Sequence, residues 1–373
     1  MVAECHSQLN GSAIAGGRAP AIREERRMSS TVTIRDVAAA AGVGISTVSR
    51  VVHRHPSVAQ ELRERVETAM RELGYEPDAS AQSMRMRATH QIACAIRDSS
   101  IPEFAAFVRA AEAVIRQAGY TLLLTNIDES SEQERDLARM LGRRRVDGLM
   151  MTRSADGDKR VDEALTKLGI PVVYIDRDAS PIADTVVIDH RHGIRAAVHH
   201  LAALGHSRIA FLTGRPTMRP ARERLLAFEE AMGERGLPVD PRLVSAQSFY
   251  AEQAFQHASL VLTSEPRPSA IIAGGMSLLP AVLRAARMHN LQIGKDVSVI
   301  AGCNSDLAEL SVPPVTAIRW DVPAWGRICA QLLLDRISAP PESAGGREII
   351  LPTELVIRES CGSLVRSPDR STG

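Results

Sequence analysis

The sequence predicts an N-terminal all-α helix-turn-helix module followed by an α/β core of two Rossmann-like lobes. Three observations carry this. Residues 33–75 hold three short amphipathic segments in close succession. From Gln91 onward, short apolar runs alternate with longer helical stretches, the pattern of a parallel sheet covered on both faces. Those runs are too many for one comfortable sheet, so they divide between two lobes.

The first predicted helix opens at Thr33, with Asp36 three residues on in the place where a capping box usually carries Glu. Ile34, Val37, Ala38 and Ala41 share one face, Gly42 ends the helix, and Val43-Gly44 make a tight turn. The second helix is expected over 45–53. Val48, Val51 and Val52 face inward, which leaves Ile45, Ser46, Ser49, Arg50 and His53 on a short polar, cationic outer face. Such a face suits the major groove. Arg50 can contact phosphate or a guanine edge, Ser46 either base type, and Ile45 a thymine methyl. The third helix is expected over 60–73, burying Leu62, Val66, Ala69, Met70 and Leu73 and closed by Gly74. This local pattern also fits a three-helix bundle with no DNA role. Pro77 marks a break, and residues 79–89 form a polar connector containing Arg and Met.

Strands are then expected at 92–96, 120–125, 148–151, 171–175, 186–188, 208–212, 270–273, 297–300 and 316–318, with a last one near 351–357. Helices are expected at 104–118, 131–142, 193–204, 219–235, 251–263 and 323–337. The resulting organisation is a disordered tail (1–30, with Met28 a second candidate start), a DNA-binding module (31–78), a connector (79–89), a core (90–361) and a tail (362–373). Lobe one takes 90–189 and 322–348, and lobe two takes 190–321 and 349–361.

Composition excludes several classes. The chain has 373 residues, 45% hydrophobic and 24% charged, with a net charge of +1, so its overall charge does not advertise nucleic-acid binding. No apolar run approaches the roughly 18 residues of a membrane helix. Among the first thirty residues, Glu4, Glu24 and Glu25 lie among arginines, and no stretch resembles the roughly 7–15 apolar residues of a signal peptide. The expectation is a cytoplasmic protein with no membrane partner. Cys5, Cys94, Cys303, Cys329 and Cys361 form no C-x-x-C pair and no zinc spacing. His190, His192, His199, His200 and His206 invite a metal, but His190 and His192 precede a helix start and His206 belongs to a turn before a strand. No metal and no cofactor are expected. There is no G-x-S-x-G and no H-E-x-x-H, and "GRP" at 214–216 lacks the P-loop lysine, so no enzyme is expected.

The stretches VTIRDVAAAAGVGISTVSRVV (32–52) and RERVETAMRELGYEPDASAQSMR (63–85) resemble the N-terminal module of the lactose repressor/galactose repressor family. RVDGLMM (145–151), IPVVYIDR (170–177), HLAALGHSRIAFLTG (200–214) and LPTELVIRES (351–360) resemble its sensor core, so the likeness covers residues 32 to 360. It implies a transcriptional repressor whose operator affinity a small-molecule effector switches, on a core fold shared with periplasmic binding proteins. It also implies a homodimer on a near-palindromic operator. Thr33, Thr47, Tyr75, Ser83, Met84 and Arg85 join the outer face of the second helix as DNA contacts. Residues 79–86 would form a helix of about two turns, marginal alone, that folds when two copies meet on DNA. Met84 stands where the family carries a leucine that wedges into the minor groove. Gly44 replaces the usual serine and Asp78 the usual asparagine.

For the effector, the resemblance points between the lobes. Asp98 and Phe104 flank the first strand's end, Arg153 follows the third strand, and Asp176-Arg177 end the fourth. Arg224 aligns with the arginine that grips effector in many members, and Trp320 lies near a crossover. Two departures shape the pocket. Gly275-Met276 replace Asn-Asp, and Ala301-Gly302-Cys303 replace Gly-Phe-Asp, whose aspartate often binds sugar hydroxyls. The expected effector is therefore less hydroxyl-rich than a sugar. Arg153, Arg177 and Arg224 favour an anion. A sensor that has lost its ligand also fits, and the rival reading is a secreted binding protein, which would need a signal peptide and no helix-turn-helix.

Overall fold

The structure is a computed structural model that describes residues 32–52, 55–75, 88–128, 130–339 and 346–364. It forms two compact units, Met1–Gln82 and Ser83–Gly373.

The first unit holds α1 (Ile34–Ala41), α2 (Ile45–Val52) and α3 (Gln60–Leu73) around Val37, Ala38, Ala41, Val48, Val51, Val66 and Ala69. Asp36 accepts from the Thr33 backbone N–H at 2.8 Å and from its hydroxyl at 2.7 Å, which fixes the start of α1. Gly42 ends that helix at φ 63°, a conformation that only glycine takes at little cost. Arg65 reaches from α3 to donate to the Ala41 carbonyl at 2.6 Å, tying the turn to the third helix. Leu73, expected in the core, is exposed instead. It occupies the last position of α3, beyond the part that packs on α1.

In the second unit, lobe one contains β1 (Gln91–Ile96), α4 (Pro102–Gln117), β2 (Thr121–Asn126), α5 (Ser131–Arg144), β3 (Gly148–Met151), α6 (Lys159–Thr166), β4 (Val172–Ile175) and β5 (Asp184–Ile188). Lobe two follows with α7 (His190–Ala203), β6 (Ile209–Thr213), α8 (Arg219–Glu234), β7 (Val244–Ala246), α9 (Ala251–Leu262), β8 (Ala270–Ala273), α10 (Leu279–Met288), β9 (Ser298–Ala301), α11 (Asp306–Leu310) and β10 (Thr316–Arg319). The chain then returns through α12 (Val322–Ser338) and β11 (Glu348–Leu351) to lobe one and ends on β12 (Glu354–Val356) in lobe two. The sheets run β11-β5-β4-β3-β1-β2 and β12-β10-β9-β8-β6-β7. Every pairing is parallel except β10 with β12. Strand order reverses between β1 and β3 and again between β6 and β8, and the crevice at such reversals, beyond the strands' C-terminal ends, is where open α/β sheets bind ligands.

Residues 349–351 pair in the first sheet, so the last crossing falls a few residues later than the sequence suggested. Short β7 and helices α6, α10 and α11 went unseen, because their apolar residues are few or run into neighbouring turns. The crossings are tied together. Thr353 donates to the Asp189 carbonyl at 2.8 Å, and the Asp189 N–H donates to Leu351 at 2.9 Å. The Asp189 side chain accepts from the His192 N–H at 3.0 Å and caps α7. Among the described residues, no helix is long and apolar enough to cross a membrane.

Helix α12 lies directly on α4. Trp325 packs edge-on to Phe107 with ring centroids 4.8 Å apart and donates its indole N–H to Val186 at 3.2 Å. At Gly326 the two helices approach so closely that a Cβ would overlap the Phe107 carbonyl oxygen. Replacing it forces two packed helices apart, which typically costs about 1–3 kcal/mol. Gly326→Ala should accordingly lower the melting temperature of the core by several degrees in calorimetry; an unchanged midpoint would show that α4 and α12 separate freely.

Candidate nucleic-acid interface and effector cleft

The second helix presents the face the sequence anticipated. Ile45 is 47% exposed, Ser46 and Arg50 are exposed, and Thr47 and Ser49 are half-buried, while Val48 and Val51 are buried beneath them. Thr33 is exposed and Tyr75 half-buried. His53, Ser83, Met84 and Arg85 lie outside the described residues.

A cleft between the lobes encloses about 460 Å³ including its open mouth. Lobe one contributes Arg97 just after β1, Phe104 from α4, Thr152 after β3, and Ile175, Asp176 and Arg177 at the end of β4. Lobe two contributes Met218, Pro220 and Arg224 at the start of α8, Phe249 after β7 and Met276 after β8; Trp325 comes from α12. Nearly all these positions follow strand C-termini or open the helices beyond them. Phe249 sits where Gly214 and Gly275 leave room, since a Cβ at either would strike its ring. The guanidinium carbons of Arg97 and Arg224 lie 5.6 and 5.9 Å from that ring's centroid.

The mouth is latched by polar contacts between the lobes. The Arg219 N–H donates to Asp156 at 2.5 Å, the Asp156 N–H to Thr217 at 2.8 Å, and Arg222 to Asp178 at 2.7 Å. Arg97 reaches Ser277 at 3.4 Å.

Deeper in, Asp176 adopts φ 55° and is buried. Its carboxylate accepts from the Ile188 N–H at 3.2 Å and meets His190 Nε2 at 2.7 Å. Burial works against its charge, but His190, Arg224 and Arg177 outweigh that and hold the carboxyl below its ordinary range. Burial pushes the His190 imidazole down to about 4, and Arg224 adds to this while Asp176 opposes it. At neutral pH the pair is thus a carboxylate receiving an N–H from a neutral ring. Arg224 is itself buried, which pushes its guanidinium down to about 10 against the pull of Asp176. It donates no hydrogen bond to any described residue.

The predicted effector residues therefore separate into two groups. Phe104, Asp176, Arg177, Arg224 and Met276 come together at the cleft. Asp98, Arg153, Cys303 and Trp320 do not line it. Asp98 accepts from the Ser100 N–H at 2.8 Å beside the end of β1. Arg153 turns into lobe one, bonding Asp162 at 2.8 Å and the Asp158 carbonyl at 3.1 Å. Arg177 spends its guanidinium on carbonyls of Arg153 and Asp176 at 2.6–2.8 Å. Cys303 is buried, donates to Asn304 at 3.5 Å, and has its thiol pushed well up by burial. Trp320 packs edge-on to His190 at 6.1 Å. Arg97, Phe249 and Trp325 were missed. Arg97 could have been found as the residue directly after a strand; Phe249 follows a strand too short to show a pattern. Of the histidines, His199 meets Glu234, and His206 meets Ser269, Ser298 and the Gly362 carbonyl.

Residues 33–78 match the bacterial regulatory proteins of the lacI family, and residues 198–361 match the periplasmic binding protein-like domain. The chain is 32% identical to the HTH-type transcriptional repressor PurR of Photobacterium profundum, over 89% of this chain and 99% of that one. The chain belongs to the LacI family of bacterial regulatory proteins. It is also 30% identical to the HTH-type transcriptional regulator DegA of Bacillus subtilis, over 89% of this chain and 98% of the relative. A lac repressor dimer bound to operator and the anti-inducer ONPF superposes with a TM-score of 0.78 at 28% identity, covering 89% of this chain and 99% of that one. Like its LacI-family relatives, this protein is a DNA-binding transcriptional repressor regulated by a small-molecule effector.

The folded core keeps His190 neutral where the unfolded chain, with an ordinary value of 6.5, begins to protonate it. Its contribution to stability is fully present above that value and is lost as pH falls through the window down to about 4. Over that window the unfolding free energy should fall by up to about 1.4 kcal/mol per pH unit on account of this residue. Melting temperatures of wild type and His190→Gln across pH 4 to 6.5 check this; the variant should flatten the slope, and an equal slope would assign the titration to another group.

Proposed function

We propose that this LacI-family chain is a cytoplasmic, homodimeric repressor with no enzymatic activity, whose grip on a near-palindromic operator is set by a small anionic effector held between the lobes. One observation carries the anionic reading. Arg224 is a buried cation with no hydrogen-bond partner among the described residues, in a cleft whose acid, Asp176, is already taken by His190 and the Ile188 N–H. An unpaired buried guanidinium is costly, and a carboxylate or phosphate group satisfies it in a two-pronged geometry. Arg97 adds a second positive group on the opposite wall. Cys303, where many relatives carry a hydroxyl-binding aspartate, has its thiol turned to a backbone carbonyl and offers no carboxylate for a sugar. On the DNA side, Ile45, Ser46, Thr47, Ser49 and Arg50 are the base- and phosphate-reading residues, with Thr33 and Tyr75 flanking them. His53, Ser83, Met84 and Arg85 complete the reading, Met84 as the minor-groove wedge.

Selection of bound sequences from random duplexes by the full chain should yield a palindrome with a deformable central step. Arg50→Ala should weaken binding to it about tenfold to a hundredfold, and Met84→Gly should remove the preference at the centre. No enriched site with wild type would sink the operator reading. For the effector, a thermal-shift panel of inorganic phosphate, citrate and sugar phosphates against neutral sugars should shift the wild-type midpoint with anions alone, by about 2.7 kcal/mol of stabilisation at a hundredfold excess over Kd. Arg224→Gln should abolish the shift while leaving operator binding intact. A neutral sugar that stabilises wild type as strongly would overturn the anionic reading.

A further inference from the structure

The strands of lobe one run parallel, so β1, β3 and β4 all begin at one edge of the sheet, and α4, α5 and α6 all end there. That edge is also where the chain arrives from the DNA-binding unit, at Ala88–His90. Asp147 fixes this arrival: its carboxylate accepts from the Thr89 N–H at 2.8 Å, the Thr89 hydroxyl at 2.9 Å and the His90 N–H at 2.7 Å. The acid nearest in sequence to the end of α5 is therefore turned to the backbone and does not screen the surface.

What remains exposed there is mostly positive, with Glu163 an exposed acid in the groove that Lys167 lines. Arg143, Arg144 and Arg145 close α5, and Lys167 follows α6. All four are exposed, and none makes a side-chain hydrogen bond or ion pair with any described residue. Arg145, at φ 54°, lines one groove together with Ala88, Thr89 and Gly142; Lys167 lines the adjoining groove, which shares Gly142 and Leu168. Cations at a helix C-terminus do offset the helix dipole. That accounts for one such residue, but not for three in a row with a lysine beside them, in a chain whose net charge is only +1 with these four included.

We propose that this edge of lobe one is a second DNA-contacting surface, in which Arg143, Arg144 and Lys167 neutralise backbone phosphates of the bound duplex outside the bases that the second helix reads. The inference rests on the operator-binding reading. The occupant follows from the tether. Residues 76–87 separate Tyr75 from Ala88, and twelve residues span at most about 40 Å even fully extended. A duplex held by the first unit is thus kept at high effective concentration near this cationic edge, whereas an acidic protein would have to be recruited from solution.

The probe is the duplex selected by the full chain from a random pool, used at operator length (about 20 bp) and extended by about 10 bp of arbitrary sequence on each side, roughly one helical turn. Wild type should bind the extended duplex about tenfold tighter near 0.1 M salt, with a steeper fall of log K against log salt. Arg143→Gln/Arg144→Gln should erase that gap and reduce the slope by about 0.9 for each phosphate left unneutralised. Arg143→Lys/Arg144→Lys should retain both, and all variants should bind the short duplex like wild type, which separates phosphate contact from a role confined to the helix end. Equal wild-type affinity for the two duplexes, or an unchanged slope in a glutamine variant that melts like wild type, overturns the inference. Wild type binding neither duplex overturns the operator reading and this inference with it.

Discussion

The core depends on one buried contact, the bond between Asp176 at the end of β4 and His190 at the start of α7. The two residues belong to different lobes and stand on either side of the first crossing. Asp176 holds a left-handed backbone at φ 55°, a strain of about 1 kcal/mol, and the geometry persists because the carboxylate is held from both sides, by the Ile188 N–H and by the ring. That arrangement sets the angle at which lobe two leaves lobe one. It also fills the negative end of the cleft, so that Arg224, one turn into α8, faces a carboxylate whose hydrogen-bonding capacity is largely spent. A lobe movement that lengthened the Asp176–His190 contact would expose a buried charge without a partner.

This bears on how a ligand could act. The mouth is held by contacts of moderate strength, Asp156 with the Arg219 N–H and Asp178 with Arg222, and Asp178 and Arg222 are both partly open to solvent. Such half-exposed pairs are worth little each. A ligand that hydrogen-bonds Arg224 would add partners to a buried guanidinium that has Asp176 for a charge but no hydrogen bond. It can thereby bias lobe closure. Differential affinity for two states is what a regulator requires, and on the proposed reading Arg224 would carry it.

Much of this was legible in the sequence. Helix α1 announced itself through Thr33, Asp36 and Gly42, because caps are local chemistry read within four residues. Most strands of both lobes announced themselves as apolar runs, since a parallel sheet covered on both faces leaves no alternation to confuse them. Asp176 could be named because it follows such a run directly, and Arg224 because it opens the helix after one. Arg153 follows one too, yet it turns inward to Asp162 and Tyr174; position after a strand fixes where a backbone is, and the partner that captures the side chain lies elsewhere in the chain. Trp320 and Cys303 are likewise outside the cleft lining, Trp320 packed on His190 and Cys303 bonded to the Asn304 carbonyl. Phe249 was invisible because three residues of β7 show no periodicity, and its seat is made by the absence of side chains at Gly214 and Gly275. Such a seat appears only when distant segments are brought together.

The charge distribution ties the two units to one task. A chain with 45 basic and 44 acidic residues gains almost no long-range attraction to DNA from its net charge. Many of its arginines in the core are consumed, by Asp184 for Arg336 and Arg347, by Glu230 and Glu223 for Arg191, and by backbone carbonyls for Arg177. With so little net charge, the placement of individual cations matters more than their number. Cations placed to meet phosphates together then supply affinity that net charge does not. A near-neutral chain thus gains little non-specific attraction to a genome, and discrimination rests on where individual contacts are placed.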